Sequence, residues 1–332
     1  MGRCFIQLVT GPAGSGKSTY CTAIQQHCAT LGKLRRRTVH VANLDPAAEN
    51  FGYELAFDIR DLITVEDVME ELGLGPNGAL IYCMEYLLEN MDWLEEELDK
   101  FDDDEYLVLD CPGQIELYTH APIMKRVIDQ MTTWGHASRM ASVFIVDATF
   151  VCDAPKFISG SLLSLSAMIA LELPHVNVLS KCDLVDEAKV ESILDVESAS
   201  VLWQREEYNR EKDMAMDALA VAKANRRKSK AIDSTTDKGK KISAKVPDSA
   251  SGTLLSKEDQ QRIALRRRKQ NRLTEAICSL LDDYSMVSFI PLNISDEESI
   301  DNVLAHVDHT IQYGEDLEVR GADQDDFGGD EE

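Results

Sequence analysis

The sequence predicts an α/β fold: a mostly parallel central sheet with helices on both faces, in three α/β/α layers. Three observations carry the prediction. Short apolar runs alternate with helical patterns along most of the 332 residues, as expected of a sheet covered on both sides. A glycine-rich string ending in Lys-Ser lies between the first run and the first helical pattern. Each of the first five runs ends on or beside a polar residue able to do chemistry, and ligands of open α/β sheets bind at the carboxyl ends of the strands. The expected strands are Phe5–Thr10, Thr38–Leu44, Tyr106–Asp110, Val143–Asp147, Val176–Ser180 and Met286–Pro291.

The first strand leads into Gly11, Pro12, Ala13, Gly14, Ser15, Gly16, Lys17 and Ser18, which match G-x-x-x-x-G-K-[ST], with a helix expected to open at Thr19. Such a loop turns consecutive backbone N–H groups inward onto phosphate oxygens, and the helix N-terminus adds partial positive charge. Lys17 is placed to reach the β- and γ-phosphates, and Ser18 to hold Mg²⁺. This makes the fold a P-loop NTPase. The second strand closes on Asn43-Leu44-Asp45-Pro46-Ala47, where Asp45 can polarise an attacking water and equally can be an Asx-Pro turn.

Between two helical patterns, Gly75-Pro76-Asn77 reads by itself as a loop. The acids of 85–105 fall at helical spacing with Leu87, Leu88, Met91, Leu94 and Leu98, the pattern of a solvated helix face. The third strand runs into Asp110-Cys111-Pro112-Gly113-Gln114. There Asp110 suits Mg²⁺, Gly113 N–H suits the γ-phosphate, and Gln114 suits the orientation of water. The run Phe157–Leu173 fits both buried core and a dimer face. After the fifth strand comes Ser180-Lys181-Cys182-Asp183. A carboxylate at Asp183 can accept from N1–H and the 2-amino group of guanine. Adenine offers no donor on that edge, so unpaired acceptors count against ATP. The Lys181 stem can cover one face of the base.

The net charge of −25 hides a split. Between Lys223 and Arg272 there are 16 Lys/Arg and 5 Asp/Glu, leaving 18 basic and 54 acidic residues elsewhere. An acidic body argues against nucleic acid as the main ligand; a basic helix against an acidic partner explains Arg262–Arg272 equally well. The expected organisation is one P-loop domain from 1–222 and 263–317, a basic low-complexity insertion at 223–262 too poor in apolar residues to fold, and an acidic tail at 318–332. No apolar run is expected to approach the roughly 18 residues that cross a bilayer. The eight cysteines form no C-x-x-C pair and suit a reducing compartment, and the pair His306/His309 lacks a third metal ligand.

Taken together, these motifs resemble the GPN-loop GTPases, a SIMIBI-class P-loop family named for the tripeptide seen here as Gly75-Pro76-Asn77. Lys156-Phe-Ile-Ser-Gly160, Asp282-Asp-Tyr-Ser-Met286, Ser295-Asp-Glu-Glu-Ser299 and Gln312-Tyr-Gly-Glu-Asp-Leu317 carry the same resemblance, which spans about Cys4 to Leu317 outside the insertion. It implies a slow GTPase taking GTP to GDP with Mg²⁺, and a dimer with a paralogue or itself. The GPN loop of each subunit reaches its partner's phosphates, with Asn77 acting in trans beside Asp45 and Gln114. Pro12 stands where related ArsA-type ATPases carry a second lysine, so that charge is missing and the neutral amide of Asn77 can instead hydrogen-bond the γ-phosphate or the leaving phosphate. Leu292, in Ile290-Pro-Leu-Asn293, takes the position of a loop that touches guanine through its backbone. The resemblance further implies a cytoplasmic protein, not a membrane one, that serves RNA polymerase II assembly and delivery to the nucleus through polymerase subunits. The competing readings are an ArsA-like ATPase and a GTP-binding scaffold with negligible turnover.

Overall fold

A computed structural model describes residues 4–31, 37–103, 105–119, 122–151, 153–194, 198–213, 216, 257–284 and 287–313. They form two compact units, one drawn from Met1–Leu194 with Met286–Glu332 and the other from Asp195–Ser285. The first unit opens with β1 (Phe5–Thr10), α1 (Lys17–Thr30), β2 (Val39–Asn43), β3 (Leu55–Asp58), α2 (Val65–Leu72), α3 (Pro76–Glu89) and α4 (Met91–Leu98). It continues through β4 (Tyr106–Asp110), α5 (Glu116–Thr119), α6 (Ile123–Met131), β5 (Met140–Asp147), α7 (Ala148–Val151), α8 (Ala154–Leu171), β6 (His175–Ser180) and α9 (Glu187–Leu194). The second unit holds α10 (199–213) and α11 (Lys257–Asp283); β7 (Phe289–Pro291) and α12 (Glu297–Ile311) return to the first.

All seven strands run parallel in the order β3-β2-β4-β1-β5-β6-β7. Every residue of β1 and β4 is buried, which is why these strands read as unbroken apolar runs rather than as an alternation. Ile6 and Leu8 pack with α3, α4 and α6 on one face. Phe5 and Val9 pack with α1 and α12 on the other. The helices follow from spacing and caps. In α6, Ile123, Met124, Val127, Ile128 and Met131 make one buried stripe. Asp296 caps α12 by accepting from Glu298 N–H at 3.1 Å.

Several expectations need correcting. The strand β3 was not expected: four residues carry too little pattern to register, and Leu55 and Ala56 are not buried. The strand β5 begins at Met140, three residues early, whereas β7 begins only at Phe289. The acidic stretch is two helices, parted at Asn90, whose side-chain amide donates to Tyr86 C=O at 2.8 Å. Helix α1 opens at Lys17 rather than Thr19. An apolar window of bilayer length does exist: α8 spans 18 residues with a mean hydropathy of 1.4. Its buried Ile158, Leu165 and Leu171 give it a core-facing side.

The second unit stands on its own contacts. Asp282 accepts from Ser198 Oγ, Ala199 N–H and Ser200 Oγ at 2.6–2.8 Å, stapling the start of α10 to the end of α11. Leu202, Trp203, Cys278 and Leu281 are buried with them. Helix α11 starts inside the stretch expected as the insertion; residues 223–256 of it, and the tail 318–332, lie outside the described residues.

Candidate active site

Parallel pairing brings the motif-bearing strand ends to one edge. Asn43 and Val9 are both level with Asp110, and Asp147 is level with Ser180. The loops leaving these strands therefore converge over the N-terminus of α1, as open α/β sheets require of a ligand site.

The phosphate loop is shaped by close approach. Gly11 has φ +134°, and a Cβ there would stand 2.4 Å from the Ile145 carbonyl oxygen, so only glycine passes β5 this closely. No side chain caps the first turn of α1, which leaves its leading N–H groups free to meet an anion. Ala13, Gly14, Ser18 and Thr19 are exposed at the loop surface, whereas Lys17 is only 9% exposed and its Nζ donates to Pro12 C=O at 3.4 Å. The turn after β4 leans onto the same lysine. A Cβ on Gly113 would lie 2.7 Å from Lys17 Nζ and 2.9 Å from Ala13 Cα.

Two carboxylates face this loop. Asp110 is 3% exposed, accepts from Tyr53 OH at 3.0 Å, and is hydrogen-bonded by Ser18. Burial pushes its carboxyl above the ordinary value; Ser18, Lys17 and Tyr53 pull it back, and the like charge of Asp45 raises it again. Asp45 is also raised by burial, against Ala47 N–H and Lys17. Its Oδ1 accepts from Ala47 N–H at 3.0 Å. A buried carboxylate bonded to a hydroxyl is a hard, all-oxygen donor pair of the kind Mg²⁺ takes, so Ser18 and Asp110 fit that ion.

Gln114 follows Gly113, and its Nε2 donates to Asn77 Oδ1 of the same chain at 3.1 Å. Asn77 is not on a loop, as expected, but in the first turn of α3. Gly75 is the N-cap, Pro76 occupies the first position, and Ala79 N–H closes on Gly75 C=O at 2.9 Å. Proline fits there because its fixed φ is helical and its missing N–H has no partner to lose.

At the other end of the cleft, Ser180 is 4% exposed. Its hydroxyl lies 2.5 Å from Ser15 C=O and 3.1 Å from Val146 C=O, so this buried group ties β6 to the phosphate loop. Lys181, at φ +58°, donates to Gly14 C=O and to Asp147 Oδ2, both at 2.7 Å. Asp183 is exposed on the short turn Cys182–Leu184 and opens onto a cavity of about 440 Å³ bordered by Val185, Glu187, Pro291 and Asn293. The backbone of Leu292 is bonded on both sides. Its N–H donates to Leu179 C=O at 2.8 Å and its C=O accepts from Cys182 N–H at 3.3 Å, so it clamps the turn that carries Asp183.

Sequence reasoning missed Tyr53, Asp58, Arg60 and Asp147, each of which holds one of the expected residues or its neighbour. Only Asp147, closing an expected strand, had a positional signal.

Against known families, residues 9–252 and 231–313 match the family described as conserved hypothetical ATP binding protein. Among curated proteins the chain is similar to GPN-loop GTPase 3 of Danio rerio, at 44% identity across 95% of this chain and 90% of that one. It matches the Dictyostelium discoideum protein of the same name at 43%, with the same coverage. The Saccharomyces cerevisiae one matches at 40%, covering 94% of each. A solved GTPase in apo form from Pyrococcus abyssi is 26% identical, covering 57% of this chain and 71% of that one, with a TM-score of 0.49.

Proposed function

The chain belongs to the GPN-loop GTPases and is a GTP hydrolase, and on that premise we propose a dimeric switch whose Asp45 and Gln114 direct water at the γ-phosphate. The observation that carries the proposal is the gathering of Lys17, Asp45, Asp110 and Gly113 around one loop, with the charge of Asp45 close enough to raise Asp110 and Lys17 close enough to lower both. In the proposed reaction the water oxygen bonds to the γ-phosphorus while the bond to the β–γ bridging oxygen breaks. Asp45 takes the proton leaving the water, Gln114 orients that water, and Lys17 with the loop N–H groups draws charge off the phosphates. Mg²⁺ held by Ser18 and Asp110 would neutralise phosphate charge.

Asp183 supports guanine over adenine, in keeping with the relatives' names and against the ATP of the family description. Competition of GTP and ATP for a fluorescent GDP tests it: equal affinities would favour the ArsA-like reading. The resemblance to this family extends the proposal to the assembly and nuclear delivery of RNA polymerase II from the cytoplasm, tested by whether GTP alters co-purification with polymerase subunits.

Whether Asn77 serves its partner's site or its own has an observation on each side. Pro12 leaves the loop without a second lysine, so a neutral amide from outside has a hydrogen bond to supply, whereas Gln114 bonds Asn77 within one chain. Mixing Asn77→Ala protein with Lys17→Ala protein decides. In trans, the intact Asn77 of the Lys17→Ala subunit completes its neighbour's site and turnover recovers. In cis, the mixture stays as slow as its parts. Turnover per subunit that does not rise with protein concentration would favour a scaffold over a dimeric enzyme.

A further inference from the structure

The segment between β2 and β3 carries a polar brace that no motif announces. Asn43 is fully buried, and its side-chain amide is spent entirely on its neighbours. Its Oδ1 accepts from Asp45 N–H at 3.0 Å, while its Nδ2 donates to Asp45 C=O at 2.9 Å and to Asp58 Oδ1 at 2.8 Å. Asp58, at the end of β3 and 7% exposed, is gripped in turn by Arg60. Arg60 Nε donates to Asp58 Oδ2 at 2.8 Å, its Nη2 lies 2.6 Å from the same oxygen, and its backbone N–H reaches Oδ1 at 3.0 Å. Burial works against the Asp58 charge, yet the bonds from Arg60 and Asn43 hold its carboxyl below the ordinary value.

The guanidinium does two further things. Its Nη1 donates to Ala48 C=O at 3.0 Å, closing the turn that begins at Asp45. Its Cζ lies 4.6 Å from the centre of the Phe51 ring, which packs 5.2 Å from the ring of Tyr53, the donor to Asp110. Both ends of the 45–60 segment thus meet at one arginine. Asp45 needs such support: its Oδ1 is taken by Ala47 N–H, and no described residue holds its Oδ2.

From this geometry we infer that Arg60 is a positioning residue for hydrolysis, acting through Asp58 and Asn43 on the backbone of Asp45. The inference rests on the proposed role of Asp45 as proton acceptor. All three guanidinium nitrogens of Arg60 are engaged by Asp58 and Ala48. Its effect should appear in the rate of the chemical step and not in nucleotide binding, since small misplacements of a reacting group cost rate steeply. A guanidinium is required because its fork spans Asp58 and Ala48 together, which a lysine ammonium cannot do.

A cycle of Arg60→Ala, Asp45→Asn and the double variant in the full chain tests it, reading kcat, KM, GDP affinity and Tm. Arg60→Ala should lower kcat on the order of 10-fold while KM and GDP affinity stay within about twofold. The double variant should be no slower than Asp45→Asn alone, because residues acting as one unit are not additive. If Arg60→Ala does not fold, Arg60→Lys keeps the charge without the fork and should show the same pattern at roughly threefold. Losses that add in the double variant, or a fall in GDP affinity matching the fall in kcat, would overturn the inference and leave Arg60 a structural residue. Wild-type turnover in Asp45→Asn would overturn the role of Asp45 itself and this inference with it, an outcome distinct from a normal Arg60→Ala beside a slow Asp45→Asn.

Discussion

At the phosphate end of the cleft Lys17 and Asp110 are buried, Asp45 is half-buried, and each is tied to its neighbours; at the base end Asp183 stands exposed on a three-residue turn. Asp110 is held by Tyr53 and Ser18, Asp45 by its neighbour Asn43, and Lys17 is walled in by Gly113. At the base end the turn under Asp183 is held by backbone groups, with Leu292 and Cys182 bonded carbonyl to amide, while side-chain bonds tie down its neighbours Ser180 and Lys181. Chemistry at a phosphate depends on charges whose strength and direction survive competition from water, so those groups are desolvated and braced. Reading a base edge requires only that one carboxylate be accessible and in register.

That contrast predicts unequal sensitivities. Lys17→Ala should show the largest effect, weakening GTP and GDP alike by about 3 kcal/mol, on the order of 100-fold in Kd; retained affinity would break the assignment of the phosphate end. Asp183→Asn should instead exchange partners, losing about 2 kcal/mol toward GTP and gaining xanthosine triphosphate, which carries an acceptor where guanine has its amine. A variant that still prefers GTP would mean that Asp183 does not read the base. An acid titration probes the phosphate end further. A carboxylate accepts a proton only when ionised, and burial raises Asp45, so kcat should fall on acidification from a higher pH than an ordinary aspartate gives. A profile unchanged in Asp45→Asn would sink this reading.

Much of the phosphate end was legible because its parts are contiguous. Gly11–Ser18 and Asp110–Gln114 each follow a buried strand, and local order there dictates geometry. Its braces were not legible. Asn43 meets Asp58 across 15 positions and Tyr53 meets Asp110 across 57, separations that only the finished sheet closes. The strand β3 hid for the related reason that its edge position leaves half of it unburied. Asn77 was misplaced because Gly-Pro reads as a turn until one sees that the proline starts a helix. At the base end nothing in the sequence marks what Ser180 does. In place, its short hydroxyl spans two carbonyls because β6 and the phosphate loop approach closely.

The contact between Gly113 and the phosphate loop has one more consequence. With Lys17 Nζ and Ala13 Cα both inside 3 Å of where a Cβ would be, the two loops compete for the same volume. Neither can shift by the width of a methyl group unless the other yields. Movement of either loop toward the other is thereby resisted by exclusion, which, unlike an ion pair, salt does not screen.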